Sequence, residues 1–117
     1  MLCDVPCSSD AVLRKLPANW QSWTTKNAGS LHPLQLQIAI RGLELLKVGG
    51  LLSYSTCSLN PIENEAVVSA ILNRYKGMVE VIDTRANLNT FKTRKGMKYW
   101  SVMDDRKGFL PKTVEED

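Results

Sequence analysis

Two cysteines sit in short polar motifs, Asp4-Val5-Pro6-Cys7-Ser8-Ser9-Asp10 and Tyr54-Ser55-Thr56-Cys57-Ser58-Leu59-Asn60-Pro61. Each motif follows an apolar, strand-like run, and the second leads into a helix signal. Cysteines kept for packing tend to lie inside the apolar run. Just beyond it, a thiol falls on a loop, where a rigid scaffold can aim it at a substrate. The chemistry open to such a residue is that of the thiolate, a nucleophile. Thiol redox chemistry is the weaker reading, because no Cys-x-x-Cys pair occurs. Cys3 lies within its run and reads as a packing residue.

The elements that must position these loops follow from apolar spacing and from turn residues. Met1 to Val5 looks like the end of a strand. A polar turn and the segment Ala11 to Leu16 follow, closed by Pro17. Trp20 and Trp23, three apart, would share one face of a short helix and serve as core. A helix is expected from Pro33 to about Lys47. Leu34, Ile38, Leu45 and Leu36, Ile40, Leu43 would cover more than one of its faces, and Gly49-Gly50 would end it. Gly42 inside that helix permits a close approach by a neighbour. Leu51 to Ser55 reads as a buried strand. Asn60 then looks like a helix cap, with Pro61 next and Glu63 completing a capping box. Ile62, Ala66, Val67, Ala70 and Ile71 carry the apolar stripe to about Tyr75, and Gly77 stops the helix. Met78–Asp83 and Tyr99–Met103 alternate like strands, and Thr113–Asp117 is an acidic tail expected to fray. Strand, helix, strand, helix, strand is the rhythm of a parallel α/β sheet. Such sheets collect ligands at the carboxyl ends of their strands, where both cysteine motifs fall.

The bulk properties set bounds. The chain has 117 residues, 44% hydrophobic and 23% charged, which fits one globular domain with a single core. A net charge of +3 permits a polyanionic partner without demanding one. No apolar stretch is long enough to span a membrane, and Met1-Leu2-Cys3-Asp4 lacks the build of a secretory signal. Three cysteines, an odd number, read as free thiols in a reducing compartment. With one histidine, expected near a helix start, and no Cys/His cluster, no metal site is expected.

Taken together, Asp4-Val5-Pro6-Cys7-Ser8 with Arg14-Lys15, Leu34-Gln35-Leu36 with Ile38-Ala39-Ile40-Arg41-Gly42, and Tyr54 through Glu65 resemble one family. It is the RsmB/Nop/Sun family of RNA cytosine-5 methyltransferases, and above all its eukaryotic tRNA-modifying branch. The resemblance covers roughly 2–82. It implies a partial Rossmann-like, S-adenosylmethionine-dependent fold with the two motifs on adjacent strands about 4.8 Å apart. Cys57 would be the nucleophile that adds to carbon 6 of cytosine, with a partial positive charge from the helix opening at Asn60 lowering its pKa. Cys7 would help to break the covalent adduct. Asp4 would bind the cytosine edge and assist protonation, its pKa raised by burial beside the base. Asp4 and Pro6 would also border the cofactor. The partner would be RNA, most simply tRNA, with the target base out of its stack. Arg14 and Lys15 would meet phosphates. The setting would be intracellular, nuclear or nucleolar, with the cytoplasm an alternative.

Other readings stand beside these. Asp4 also suits a turn cap, and Arg14-Lys15 a solvated basic pair. Ala11 replaces a glycine usual in the family, so the loop after Cys7 is expected to differ in shape. None of the seven glycines forms a cofactor loop after a strand. Residues 1–112 therefore read as the carboxyl-terminal part of a methyltransferase catalytic domain, inactive alone. The alternative is a non-catalytic remnant that binds RNA or protein.

Overall fold

The computed structural model describes residues 1–100 together with the backbone of 102–104 and 108–110. Strand β1 (Leu2–Asp4) is joined to β2 (Ser53–Ser55) through a 3₁₀ turn (Asp10–Val12), the short helix α1 (Asn19–Ser22) and the long helix α2 (Thr25–Glu44). Helix α3 (Glu65–Arg74) follows, and then a hairpin of β3 (Val102–Asp104) and β4 (Gly108–Leu110). β1 and β2 pair in parallel, with Leu2 opposite Ser53, Cys3 opposite Tyr54 and Asp4 opposite Ser55. β3 and β4 pair antiparallel. The chain is thus a small α/β unit in which both cysteine motifs leave the same end of one strand pair.

Helix α2 begins well before Pro33, the start expected from the sequence. Thr24, in extended conformation, caps it by accepting the Asn27 N–H on Oγ1 at 3.1 Å. Pro33 lies inside, and the carbonyl its ring faces belongs to Gly29. One stripe of α2 is buried, made of Ala28, Gln35, Ala39 and Gly42. Small side chains there let the sheet come close. A methyl group on Gly42 would lie 2.7 Å from the Cys3 Sγ and 2.8 Å from the Leu52 Cδ1. The second apolar face stays open, with Leu34 and Leu45 exposed, while α3 and β1 pack on α2 elsewhere. The core is correspondingly small. Ala39, Val67 and Ile71 form its centre, flanked by Leu36, Leu43, Tyr54, Tyr75 and Val79.

Several sequence expectations change. α2 stops at Glu44, and Gly49 (φ 79°) serves a separate turn closed by Gly50 N–H to Lys47 O, 2.9 Å. β2 is two residues shorter than expected and is not buried on both faces, for Ser53 and Ser55 are exposed and Tyr54 half-buried. α3 starts at Glu65 rather than next to Asn60. Residues 78–83 form no strand, since no described strand lies alongside to bond them. The strand expected at Tyr99–Met103 is displaced to Val102–Asp104. Trp20 is exposed and Trp23 half-buried, so the pair is not core. The tail, 113–117, lies outside the described residues. No described helix is long and apolar enough to cross a membrane.

Candidate active site

At the carboxyl end of the strand pair the two motif loops are laced together. Val5 N–H continues the ladder to Ser55 O at 3.1 Å, and Ala11 N–H reaches Cys57 O at 3.3 Å. Asp10 Oδ1 accepts the Leu59 N–H at 2.9 Å. The second loop is also locked on itself. Asn60 Oδ1 accepts the Ile62 N–H, while Asn64 Nδ2 donates to Ser58 O and Asn60 O and its Oδ1 accepts from Thr56 Oγ1. Asn60 therefore makes a local turn and does not cap a helix. His32, inside α2, braces this loop. Its Nδ1 lies 2.8 Å from Ile62 O, so that nitrogen carries the proton.

The lacing brings the two cysteine sulfurs to 3.1 Å from each other. Cys57 is exposed and Cys7 partly covered. Ser9 Oγ lies 3.3 Å from the Cys57 Sγ and 3.9 Å from the Cys7 Sγ. Ser9 reaches this position through a left-handed backbone (φ 58°, ψ 31°). The sequence raises the question of such a conformation at Ala11, where the family usually has glycine. It arises two residues earlier, and Ala11 sits in the 3₁₀ turn. A non-glycine residue held there is a strained position of the kind found at functional sites. Burial pushes the Cys7 thiol above its ordinary pKa, and the contact with Cys57 adds to this.

Beneath the thiols lies Glu63, whose spacing from Asn60 suggests a capping box. It is instead fully buried. Its Oε1 accepts from Ser8 N–H (2.7 Å) and Gln35 Nε2 (3.1 Å), and its Oε2 from Ser8 Oγ (2.6 Å) and Ser58 Oγ (2.7 Å). Burial alone would raise its pKa. The bonds from Ser8, Ser58 and Gln35 outweigh that and hold it below the usual carboxylate range. Tyr54 donates its hydroxyl to Glu63 O at 2.6 Å, and burial, with the Glu63 charge nearby, pushes that phenol up. One sign in the sequence points to this hub: each cysteine is followed directly by a serine, and both serines bond Glu63.

The other residues singled out from the sequence fall around this centre. Asp4, ending β1, is exposed, and its Oδ1 accepts from Ser55 Oγ at 2.8 Å. Pro6 is exposed, and its carbonyl accepts from Gln35 Nε2 at 2.9 Å. Arg14 and Lys15 are exposed beyond the 3₁₀ turn. Cys3 is buried in the strand, as expected of a packing residue. The helix-dipole effect expected for Cys57 loses its footing, because the helix opens at Glu65, well past Asn60. A cavity of about 310 Å³ opens beside Cys7, lined by Ser8, Ser9, Asn19, Ser22, Trp23 and Asn27. A larger one, about 490 Å³, is bordered by Tyr54, Val68, Leu72, Met97 and Trp100 and has neither Cys7 nor Cys57 in its lining. As to a cofactor, no glycine stands in the loop after β1 or after β2: Gly42 packs beneath the pair, and Gly49 and Gly77 take positive φ in turns. Among the described residues, the carboxyl ends of the pair offer the Asp4 carboxylate and no glycine loop. No cluster of three or more potential metal ligands occurs among the described residues.

Comparison with known proteins adds a family. The family model described as 16S rRNA methyltransferase RsmB/F matches residues 1–117. The multisite-specific tRNA:(cytosine-C(5))-methyltransferase trm4b of Schizosaccharomyces pombe is 54% identical over 105 residues, which is 90% of this chain and 15% of that protein. The tRNA (cytosine(34)-C(5))-methyltransferase of Drosophila melanogaster is 48% identical over 102 residues, 87% of this chain and 14% of that protein. The multisite-specific tRNA:(cytosine-C(5))-methyltransferase of Saccharomyces cerevisiae is 46% identical over 104 residues, 89% of this chain and 15% of that protein. The chain thus spans about 15% of the length of these curated relatives.

Proposed function

This chain belongs to the 16S rRNA methyltransferase RsmB/F family, and on that premise we propose that it is the two-cysteine segment of an RNA cytosine-5 methyltransferase acting on tRNA. In this reading residues 1–112 are the carboxyl-terminal part of a Rossmann-like catalytic domain. The observation that carries it is the 3.1 Å separation of the Cys7 and Cys57 sulfurs at the mouth of a parallel strand pair. The names of the relatives support tRNA as the substrate.

The exposed Cys57 adds as thiolate to carbon 6 of a cytosine swung out of its stack, forming the S–C6 bond. The ring's electron pair moves toward carbon 5, and Asp4 at the ring edge supports protonation of the ring nitrogen. S-adenosylmethionine, when bound, supplies the methyl group. Asp4 and Pro6 would border it, and the rest of its cradle would come from outside this chain. Release requires the carbon 5 proton to leave as the S–C6 bond breaks. Cys7, kept a neutral thiol by its setting, gives its proton to the departing Cys57 sulfur. The resulting Cys7 thiolate takes the carbon 5 proton and the ring nitrogen returns its proton to Asp4, so the protons balance. Ser9 Oγ, within reach of the Cys57 Sγ, donates a hydrogen bond to the thiolate form. Arg14 and Lys15 meet RNA phosphates. The three free thiols fit a reducing, intracellular setting.

The test replaces the 105 aligned residues of the S. pombe relative with this chain and measures 5-methylcytosine in tRNA by mass spectrometry. Cys57→Ala is expected to abolish methylation. Cys7→Ala is expected to trap protein on RNA as a covalent band on a denaturing gel. An active Cys57 variant, or a Cys7 variant without adduct, reverses the roles or removes them. A chimera that folds but transfers no methyl group points to the non-catalytic remnant.

A further inference from the structure

We propose that Glu63 is a positioning residue for the thiol pair, an ionised carboxylate that holds the Cys7 and Cys57 loops at reacting distance. The inference rests on the reading of those two cysteines as chemical partners. Four donors converge on the carboxylate from three parts of the chain: Ser8 (twice) from the first loop, Ser58 from the second, and Gln35 from α2. Ser8 follows Cys7 and Ser58 follows Cys57, so each oxygen of Glu63 acts one residue from a reactive sulfur. Gln35 extends the strap by donating also to Pro6 O, the residue before Cys7.

The chemistry of the hub favours positioning over simple support. A buried charge is costly unless its hydrogen bonds are complete, and an apolar filler would close the same space without that cost. The described ion pairs are Arg41–Glu44 and Arg85–Asp83, and neither includes Glu63. Among the described residues its charge is met by hydrogen-bond dipoles. Such charge-assisted bonds are short and directional, as the 2.6 and 2.7 Å contacts are. What they add is a fixed geometry. Ser8 N–H and Oγ on opposite oxygens set the orientation of the first loop, and Ser58 Oγ, which also accepts from Asn60 N–H at 3.0 Å, sets the second.

The test reads thiol spacing in the S. pombe chimera, before RNA or cofactor is added. Dibromobimane fluoresces when it bridges two thiols, and mass spectrometry identifies the bridged Cys7–Cys57 peptide. Iodoacetamide labelling of Cys57 measures single-thiol reactivity in parallel. Since an error of about 1 Å in placement is worth up to about 100-fold in rate, Glu63→Ala is expected to slow bridging at least ~10-fold while Cys57 labelling stays within about twofold. Glu63→Gln, which keeps one accepting oxygen, is expected to bridge faster than Glu63→Ala. Bridging at the parent rate in a folded Glu63→Ala chimera overturns the proposal. If that variant does not melt cooperatively, the paired Ser8→Ala, Ser58→Ala variant decides: slower bridging supports the strap and the parent rate removes it. Because bridging needs neither substrate, its outcome is separate from methyl transfer, which the same chimera reports once both are added.

Discussion

Cys7 and Cys57 share a contact but not a setting. Cys57 is exposed, whereas Cys7 is partly covered and its pKa is raised, first by burial and then by its neighbour. A raised thiol pKa means fewer thiolates at neutral pH. Alkylation of Cys7, followed site by site by mass spectrometry, is therefore expected to climb only above the ordinary thiol range of about 8.5. The sign for stability follows from the same shift. The contribution of Cys7 is fully present below the unfolded thiol pKa and is lost as pH rises through the raised folded value. A Cys7 labelling midpoint at or below that of a free thiol would refute the burial argument. This bears on mechanism, because a thiol that keeps its proton can deliver it when an adduct breaks down.

At the scale of elements, the site depends on how closely α2 approaches the strand pair. Gly42 is the point of contact, with Cys3 Sγ and Leu52 Cδ1 where a side chain would begin. Both neighbours lie on or beside the strands whose ends carry the Cys7 and Cys57 loops. Gly42→Ala is expected to destabilise the chain by about 1–3 kcal/mol through overpacking, seen as a lower denaturant midpoint. Gly29, in the same helix, has open space where a methyl group would stand, with nothing within 4 Å. Gly29→Ala is therefore expected to be neutral or to stabilise by up to about 1 kcal/mol. Equal effects at the two glycines would show that helix propensity, not packing, governs α2. The cap at Thr24 and the buried Gln35 belong to the same helix, so α2 both supports the sheet and sends a donor into the site.

For the molecule as a whole, the notable property is apolar surface left open. Leu2 is 84% exposed, Leu51 66% and Val48 fully exposed, and among the described residues β1 and β2 pair only with each other. Open strand edges beside apolar side chains invite association. The 117-residue chain is expected to self-associate at micromolar concentration, with light scattering reporting species above monomer. The paired Leu2→Lys, Leu51→Lys variant should reduce it. A monodisperse monomer across that concentration range would contradict this expectation.

The features legible in the sequence are those that neighbours in the chain can settle. Alternating and run-like apolar residues place β1 and β2, and turn chemistry puts both thiols on loops. Gly42 is legible as a close approach because a glycine inside a strong helix needs a reason. What neighbours in the chain cannot decide comes from contacts across it. Pro33 is a stronger local start signal than Thr24, yet a proline can be carried inside a helix when packing supports it, and α2 begins at the earlier cap. Residues 78–83 alternate like a strand, but a strand exists only with a hydrogen-bonded partner, and none of the described strands provides one. Asn60-Pro61-Ile62-Glu63 has the spacing of a capping box, so propensity alone assigns Glu63 to a helix end. Its role as a hub depends on Ser8, 55 positions away, and on Gln35, 28 away. Only the folded chain, by bringing those donors to one buried carboxylate, decides that this residue binds the two loops and sets the distance between the sulfurs.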